Sequence, residues 1–363
     1  MGKGKVVVGM SGGVDSSVAA LLFKKQGYEV IGATMQIWLS QALYDIARSD
    51  GCCSLTAVDD AGKVCDIIGI EHRVINFRDV FREKVIENFV SEYLKGRTPN
   101  PCIVCNRYVK WESLLKWALE NGADYIATGH YARIGKLSNG RYAVCRSKTS
   151  GKDQTYALYS LTQDQLSHTL MPIGDYDKET VRSIAKSEGL PVFDKPDSQE
   201  ICFIEDNDYA GFIERYPGIE VPGPGNFVTA DGQVLGRHKG ITRYTVGQRR
   251  GLGLPMGKHV YVTGIDPKKN EVVIGEGEDV FADSLHCSDL NFMSQEDLKE
   301  GEKKRLFCKI RYRHEGQWCH VTRTGKDELF ARFEEPVRAV TPGQSAVFYE
   351  DDAVFGGGII TGI

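Results

Sequence analysis

A glycine- and serine-rich segment near the start of the chain limits the fold more than any other feature. Residues 9–17 read Gly-Met-Ser-Gly-Gly-Val-Asp-Ser-Ser. They begin at the end of an apolar run over residues 6–10 that predicts a buried strand. Val14, Val18 and Leu21 then recur at helical spacing. Such a loop presents a helix N-terminus at the carboxyl edge of a parallel sheet, where anions bind. The segment therefore predicts an α/β sheet that holds a phosphate-bearing ligand.

The residue types in this loop suit a pyrophosphate group and its metal ion. Backbone N–H groups of Gly12 and Gly13 can point at phosphate oxygens, and serine hydroxyls can add donors. Asp15 would repel phosphate, so we expect it to hold Mg²⁺ bound to the pyrophosphate. The loop lacks the Gly-Lys-Ser/Thr of a Walker A motif, which excludes a P-loop kinase or GTPase. The full string resembles the pyrophosphatase loop of enzymes that cleave ATP to AMP and pyrophosphate. This resemblance implies that the ATP-binding residues here are Gly9, Met10, Ser11, Gly12, Gly13, Val14, Asp15 and Ser16.

Strand-like and helical patterns alternate through the first half of the chain. Because parallel strands are connected by helices, this alternation predicts a sheet wound with helices on both faces. The expected strands cover residues 29–34, 73–76 and 125–128, and the expected helices cover residues 56–69, 79–95 and 106–121.

The pattern changes after about residue 206. Gly, Pro and β-branched residues replace helical periodicity, and short strands separated by turns predict a small antiparallel barrel. We therefore expect a doubly wound catalytic domain over residues 1–206, a central β-rich domain over 207–280 and a C-terminal antiparallel β-barrel over 281–363. The expected strands of the last third are 260–265, 271–274, 306–312, 320–323 and 346–349.

Charge is distributed unevenly along the chain. The net charge of −4 argues against a protein that coats DNA with its whole surface. Three stretches nevertheless concentrate Lys and Arg: residues 133–152 and 237–258 each carry six and no acid, and residues 303–323 carry seven with only Glu315. Because nucleic-acid binding depends on where charge lies, these stretches predict surfaces that can hold a polyanion.

The apolar content of the chain predicts its location. No apolar run approaches the roughly 18–20 residues that cross a bilayer, and the apolar start is too short for a signal peptide. We expect a cytoplasmic protein without a membrane partner. In a reducing compartment its ten cysteines are thiols unless a metal or a reaction uses them.

Three cysteines lie in segments that suggest chemistry. Cys102 and Cys105 lie in the Pro- and Asn-rich residues 98–106, which lead into a helix, and Cys202 lies in residues 197–204. A thiolate near a helix N-terminus is stabilised, which favours a nucleophilic role for Cys105. A Cys-x-x-Cys pair also suits a metal site or a redox pair. A structural zinc is disfavoured, because no second Cys-x-x-Cys or paired histidine supplies the remaining ligands.

These motifs, taken in order, resemble the tRNA-specific 2-thiouridylases over nearly the full length of the chain. Each string alone is only weakly specific for the family, but their order and spacing together are highly specific. The resemblance implies that the first domain is similar to the adenine nucleotide alpha hydrolases. The strings that carry the resemblance are residues 9–17, 98–106, 129–131, 152–154, 197–204, 244–252, 311–313 and 342–344.

The resemblance implies a sulfurtransferase reaction. ATP adenylates the C2 oxygen of the wobble uridine in tRNA and releases pyrophosphate. A persulfide on Cys202 supplies the sulfur that replaces this oxygen, and AMP leaves. Cys105 occupies the position of the nucleophile and would form a transient disulfide with Cys202. The implied partners are tRNA and a cysteine desulfurase or a sulfur-relay protein.

The resemblance also assigns binding roles. Met35 and Gly129 would line the adenosine side of the ATP site. Asn100, Pro101 and Cys102 would border the target base, which leaves its stack for the reaction. The remaining family positions that meet tRNA correspond to His130, Lys152, Asp153, Gln154, Arg311, Tyr312 and Gln344.

Cys102 departs from the family pattern, in which many members carry Asp at this position. The role of that Asp therefore does not transfer. Cys102, Cys105 and Cys202 together could hold a 4Fe–4S cluster with one open iron, which is a second hypothesis for the sulfur route.

Two other functions remain open at this stage. One is an amidotransferase-type ATP pyrophosphatase that acts on a small molecule, and the other is a non-catalytic, tRNA-binding sulfur carrier. The first leaves Cys105, Cys202 and the C-terminal barrel unexplained, and the second leaves Asp15 and its intact loop unexplained.

Overall fold

The computed structural model describes residues 3–37, 55–149, 151–197, 201–204 and 208–363. The chain divides into two compact units, and each is formed by separate stretches of sequence. The first unit comprises Met1–Val85, Cys102–Asn207 and Asp351–Phe355, and the second comprises Ile86–Pro101, Asp208–Glu350 and Gly356–Ile363. The predicted domain limits at residues 206 and 280 stay predictions.

The first unit is built on a five-stranded parallel sheet. Its spatial order is β3-β2-β1-β4-β7, and each of its four neighbouring pairs is parallel. The order reverses at β1, so the crevice between the carboxyl ends of β1 and β4 is the place where α/β sheets bind ligands. The strands are β1 Lys5–Gly9, β2 Glu29–Gln36, β3 Glu71–Asn76, β4 Tyr125–Ala127 and, after two further strands described below, β7 Thr169–Leu170.

Helices cover both faces of this sheet, as the alternation predicts. Val18, Val64 and Val181 come from three helices and are completely buried in one core with Val6 and Val8 of β1. On the other face Leu114 reaches Gly9, where a Cβ would lie 3.6 Å from Leu114 Cδ2. The helices of this part are α1 Val14–Gln26, α2 Leu55–Ile68, α3, α4, α5 Gln163–Ser167 and α6 Lys178–Ser187.

The helices α3 and α4 each contain a π-helical segment between α-helical turns. In α3 these parts are Arg78–Val80, the π-helical Phe81–Ile86 and Glu87–Leu94. In α4 they are Pro101–Val104, the π-helical Cys105–Leu114 and Leu115–Glu120. Helix α4 therefore begins five residues before the expected start at residue 106, and π-helical segments of this kind are frequent at functional sites.

An antiparallel hairpin interrupts the alternation of strands and helices and is missing from the sequence prediction. It consists of β5 Ala132–Lys136 and β6 Tyr142–Arg146, paired from Ala132 with Arg146 to Lys136 with Tyr142. The Asn-Gly pair at residues 139–140 is a typical hairpin turn signal and could have identified it.

The second unit contains a four-stranded sheet with its own apolar core. The spatial order is β10-β11-β8-β9, and only β11 and β8 are parallel. Phe227, Val262 and Val272 are completely buried within it. Helix α7 Tyr209–Arg215 precedes this sheet, whose strands are β8 Gly225–Val228, β9 Val234–His238, β10 Tyr261–Asp266 and β11 Glu271–Gly275.

Six antiparallel strands close into a barrel near the C-terminus. Their order is β12-β15-β14-β13-β16-β17, and β12 also pairs with β17, which completes the barrel. This closure confirms the predicted fold class. The strand expected over residues 306–312 is wrong at its end, because it stops at Lys309 and leaves Arg311 and Tyr312 in a turn. The strands are β12 Phe281–Phe292, β13 Lys303–Lys309, β14 Gln317–Gly325, β15 Glu328–Arg338, β16 Ser345–Glu350 and β17 Ala353–Gly362.

No helix among the described residues has the length and apolarity needed to cross a membrane.

Candidate functional site

The loop after β1 has a conformation that only glycine allows at its centre. Met10 donates its backbone N–H to the carbonyl oxygen of Ala33 on the neighbouring strand, at 2.8 Å. Gly12 has φ +68°, and a Cβ there would lie 2.4 Å from the carbonyl oxygen of Ala57 in α2. The loop therefore passes directly against α2, and a side chain at residue 12 would displace it.

Serine hydroxyls hold this loop in shape. Ser16 Oγ accepts a hydrogen bond from the backbone N–H of Ser11 at 3.2 Å and donates to the carbonyl oxygen of Gly13 at 3.2 Å. Ser17 Oγ also donates to Gly13, at 2.8 Å. Ser16 and Ser17 are buried, whereas Ser11 is exposed and Gly13 is half-buried. Ser11 and Gly13 thus present the accessible donors of the predicted phosphate site.

Asp15, in the first turn of α1, is held by two side chains from later in the chain. Lys178 Nζ lies 2.7 and 2.9 Å from its two carboxylate oxygens, and the hydroxyl of Tyr131 donates to Oδ1 at 2.7 Å. Burial, and then the Asp15 carboxylate, raise the pKa of Tyr131 well above its ordinary value. The hydroxyl therefore remains protonated and serves as a donor to Asp15.

Gly129 lies where the end of β4 meets the start of α1. A Cβ at this residue would lie 2.5 Å from the backbone nitrogen of Ser16 and 2.6 Å from the carbonyl carbon of Asp15. The predicted adenosine-side residue Gly129 is thus in direct contact with the predicted phosphate loop. Met35 is half-buried in β2, where it pairs with Ile75 of β3.

Two lysines that lie outside the sequence motifs contact residues of the loop. Lys178 is the first residue of α6, after the N-cap Asp177. Lys195 Nζ donates to the carbonyl oxygen of Gly12 at 3.0 Å and to Asp60 Oδ2 at 2.8 Å. Sequence reasoning missed both lysines, because isolated lysines after the core strands carry no spacing signal.

Asp197 stands at the start of the predicted sulfur segment and collects three cations. Lys178 Nζ lies 2.6 Å from Oδ1, Lys152 donates to Oδ2, and Arg182 Nη2 lies 3.8 Å from Oδ1. Burial opposes ionisation of Asp197, but the hydrogen bonds from Lys152 and Lys178 outweigh it and lower the pKa of the carboxyl. Asp197 is therefore a carboxylate at neutral pH and holds these cations in place.

The three predicted cysteines belong to the first unit. Cys102 is exposed in the first turn of α4, Cys105 is half-buried one turn further on, and Cys202 is half-buried. Cys105 was expected close to a helix N-terminus, and the helix begins four residues before it, at Pro101, which places Cys102 in the first turn. Within the part of the chain that the structure describes, no three His, Cys, Asp or Glu side chains converge as metal ligands. The 4Fe–4S cluster on Cys102, Cys105 and Cys202 stays a prediction.

Four predicted tRNA-binding residues of the first unit make defined internal contacts. His130 Nδ1 lies 2.7 Å from Thr128 Oγ1, and burial followed by the charge of Lys110 holds the pKa of His130 well below its ordinary value. The other three also have partners within the first unit. Asp153 accepts hydrogen bonds from the N–H and the hydroxyl of Thr155. Gln154 accepts from the N–H of Tyr131, and Lys152 pairs with Asp197.

Other predicted tRNA residues belong to the second unit. Gln344 Nε2 donates to the carbonyl oxygens of Thr98 and Pro99, at 2.8 and 3.3 Å, so this side chain shapes the loop that carries Asn100 and leads into α4 at Pro101. Arg311 and Tyr312 lie in the turn between β13 and β14. Tyr312 is 41% exposed. Which residues contact tRNA stays a prediction.

Acidic residues from distant parts of the sequence partly neutralise the three basic stretches. Arg243, for example, makes a two-pronged contact with Glu214 at 2.6 and 2.7 Å. The polyanion surface predicted from these stretches is therefore smaller than the sequence suggests. The paired cations are Arg133 with Asp352, Lys148 with Asp175, Lys152 with Asp197, Lys258 with Glu276, Lys304 with Glu350, Arg305 with Glu334 and Arg323 with Asp297.

Family models match three consecutive parts of the chain. They are described as the tRNA methyl transferase HUP domain over residues 4–206, the tRNA methyl transferase PRC-barrel domain over residues 210–276 and the aminomethyltransferase beta-barrel domain over residues 282–360. The first of these alone covers more than half of the chain.

Several relatives match nearly the whole chain. A protein of Lachnoclostridium phytofermentans named tRNA-specific 2-thiouridylase MnmA is 58% identical over 356 residues, which are 98% of this chain and 99% of that protein. Proteins of the same name from Clostridium acetobutylicum and Clostridioides difficile are 54% and 52% identical, again over 98% of this chain and over 99% and 98% of their own lengths.

Solved structures resemble about half of the chain. A 4-thiouridine synthetase in complex with RNA and bound ATP is 21% identical, with a TM-score of 0.36 over 55% of this chain and 45% of that protein. An NMN synthetase of Francisella tularensis is 18% identical, with a TM-score of 0.34 over 54% of this chain and 67% of that protein.

Proposed function

The chain belongs to the tRNA-specific 2-thiouridylase family, and from this membership we propose how its residues perform the reaction. It is an ATP-dependent sulfurtransferase that replaces the C2 oxygen of the wobble uridine in tRNA by sulfur and forms AMP and pyrophosphate. The near full-length match to the curated 2-thiouridylases is the observation that carries this conclusion. Residues 1–206, 207–280 and 281–363 are the proposed limits of the catalytic domain, the central tRNA-binding domain and the barrel.

The loop at residues 9–16 binds the phosphates of ATP in this proposal. Ser11 and Gly13 offer the accessible donors, and Met35 and Gly129 line the adenosine side. Asp15 is the residue that would hold Mg²⁺ on the pyrophosphate, because its carboxylate stands at the crevice between β1 and β4. Mg²⁺ supplies charge neutralisation on the leaving pyrophosphate. Lys178 and Tyr131 hold the Asp15 carboxylate in position.

Adenylation solves the chemical problem of an unreactive carbonyl. The C2 oxygen of uridine is a poor leaving group until attack on the α-phosphate of ATP converts it to an adenylate and expels pyrophosphate. Asn100, Pro101 and Cys102 border the flipped base in this proposal. The remaining tRNA contacts are proposed for His130, Lys152, Asp153, Gln154, Arg311, Tyr312 and Gln344.

Cys202 and Cys105 deliver the sulfur. A cysteine desulfurase or relay protein first loads a persulfide on Cys202. The Cys105 thiolate attacks Cys202 Sγ, which breaks the persulfide bond, forms a Cys105–Cys202 disulfide and releases hydrosulfide. Hydrosulfide attacks C2, AMP leaves with the activated oxygen, and one proton is released. The two thiols are oxidised and the transferred sulfur is reduced, so a thiol reductant must reopen the disulfide before the next cycle.

The proposed role of Asp15 is tested by AMP formation that depends on tRNA. We expect the chain to form AMP and pyrophosphate from ATP only with unmodified tRNA, and Asp15→Ala to abolish both products while tRNA still binds. Asp59→Ala is the matched control, since Asp59 is an exposed acid on the nearby helix α2. Wild-type AMP formation by Asp15→Ala would contradict the metal-holding role. AMP formation with ammonia and a small carbonyl substrate, without tRNA, would instead indicate the amidotransferase function.

A further inference from the structure

Four side chains in the first unit form a line of alternating charge. Lys178 Nζ lies 2.7 and 2.9 Å from the carboxylate oxygens of Asp15. The same Nζ lies 2.6 Å from Oδ1 of Asp197, and Lys152 pairs with the other oxygen of Asp197. The line runs from the residue proposed to meet the metal of ATP to a residue proposed to meet tRNA.

A single ammonium group serves two carboxylates in this line. The side chain of Lys178 is only 16% exposed, so water replaces little of a lost contact. Asp197 in turn divides its two oxygens among Lys178, Lys152 and the more distant Arg182. When one partner leaves either carboxylate, the remaining partner is therefore held more strongly. The partners compete, so a change at one end of the line affects the other end.

We propose that this line couples tRNA binding to ATP binding. A tRNA phosphate that draws Lys152 from Asp197 leaves Asp197 to attract Lys178, and Lys178 then releases the Asp15 carboxylate to the metal ion of ATP. This inference rests on the proposed function, because it needs both ligands. Lys178 and Asp197 are positioning residues here and touch no reacting atom. By linkage, bound nucleotide strengthens tRNA binding by the same factor.

A static brace would use the same contacts and predict a different result. Such a brace would hold the segment before Cys202 against α6, and its loss would lower stability. It would not make the affinity for nucleotide depend on tRNA. The quantity that distinguishes the two is therefore the dissociation constant of the nucleotide without tRNA divided by its dissociation constant with tRNA. A melting temperature does not distinguish them.

The test measures binding of a non-hydrolysable ATP analogue with Mg²⁺ by calorimetry, without and with saturating unmodified tRNA. We expect the wild-type chain to bind the analogue about 5- to 150-fold more tightly with tRNA, the usual range for coupled sites. Asp197→Asn keeps the shape of the side chain and removes its charge, and we expect it to reduce this ratio to about twofold or less. Asp175→Asn is the matched control, because it cuts the exposed Lys148–Asp175 pair of 3.0 Å in the same unit and is expected to keep the wild-type ratio.

A second variant cuts the line at another point and guards against misfolding of the first. Lys178→Met removes the shared ammonium, and we expect the analogue to bind more tightly without tRNA and to gain little from tRNA. A wild-type ratio in Asp197→Asn or Lys178→Met would overturn the coupling. A wild-type chain that binds both ligands and forms product, but shows no ratio above unity, would also overturn it and leave the proposed function standing. A wild-type chain that binds neither ligand would overturn both.

Discussion

Replacing Gly129 by alanine tests whether the phosphate loop and the end of β4 share one geometry. The added Cβ would lie 2.5 Å from the backbone nitrogen of Ser16 and 2.6 Å from the carbonyl carbon of Asp15. Non-bonded atoms in comfortable contact are roughly 3.5 Å apart, so the two segments must separate by about 1 Å. Because the crowded atoms belong to the backbone, no change of rotamer can relieve the contact.

The displacement acts on Asp15, whose carboxylate accepts from Tyr131 at 2.7 Å. A misplacement of about 1 Å at a reacting centre costs on the order of 10²-fold in rate, which is about 2.7 kcal/mol in the barrier. We expect Gly129→Ala to fold, to lose roughly 1–3 kcal/mol of unfolding free energy and to form AMP about a hundredfold more slowly in the presence of tRNA.

The assay follows AMP formation at saturating ATP and tRNA, together with denaturant unfolding. Gly62→Ala is the matched control: a Cβ in this part of α2 would meet only His72 Nδ1 and Cε1, at 3.5 and 3.9 Å. We expect that variant to keep wild-type activity and to gain roughly 0.5–1 kcal/mol from lower chain entropy. Wild-type AMP formation by Gly129→Ala would contradict this shared geometry, since it would mean that Asp15 tolerates the displacement.

Three further predictions concern other parts of the chain. Cys202→Ser should bind ATP and tRNA and still release pyrophosphate, but nucleoside mass spectrometry should find no 2-thiouridine. Thiolation at the wild-type rate would exclude a persulfide on Cys202. Arg311→Glu should weaken tRNA binding and flatten its salt dependence, and an unchanged slope in a filter-binding titration would place Arg311 outside the interface. Neutral His238 is buried with its Nδ1 accepting from Gly240 N at 3.0 Å, and burial lowers its pKa. Its stabilisation is therefore full above roughly pH 6.5 and is lost as pH falls through the lowered pKa, so urea unfolding should show a decline that His238→Gln lacks.

The nucleotide loop could be predicted from sequence because its constraints are local. Residues 9–17 contain the turn, its serine donors and the carboxylate in one string, and Gly12 has the positive φ that such a loop needs. The alternation of short apolar runs with helical spacing was enough to predict the parallel sheet. The reversal of the strand order at β1 was seen only in the structure. Short-range rules therefore predicted the fold class.

The ends of helices and strands that depend on tertiary contacts could not be predicted as well from the sequence. Helix α4 begins at Pro101, because proline suits the first helical position, and Cys105 consequently lies one turn inside the helix. The apolar pattern over residues 306–312 predicted one strand, but backbone pairing with β14 ends at Cys308 and the chain turns after Lys309. In both places the residue pattern indicates burial and does not reveal where hydrogen bonding stops.

Charge pairing between distant residues was not accessible from sequence at all. Lys178 contacts Asp15 across 163 positions, and Lys195 contacts Gly12 across 183. No spacing rule links residues so far apart, and only the strand order brings α6 next to the loop. The basic stretches overstated the free positive charge for the same reason, since Arg243 and Arg305 obtain acidic partners, 29 positions away in each case.

The product of the complete reaction tests the proposed sulfurtransferase activity most directly. The purified chain would be incubated under anaerobic conditions with ATP, Mg²⁺, a cysteine desulfurase, ³⁴S-cysteine, a thiol reductant and unmodified tRNA, and the digested tRNA would be examined by mass spectrometry. We expect ³⁴S-labelled 2-thiouridine at the wobble position, with one AMP and one pyrophosphate for each sulfur. Unlabelled uridine at that position, despite binding of both ATP and tRNA, would contradict that activity.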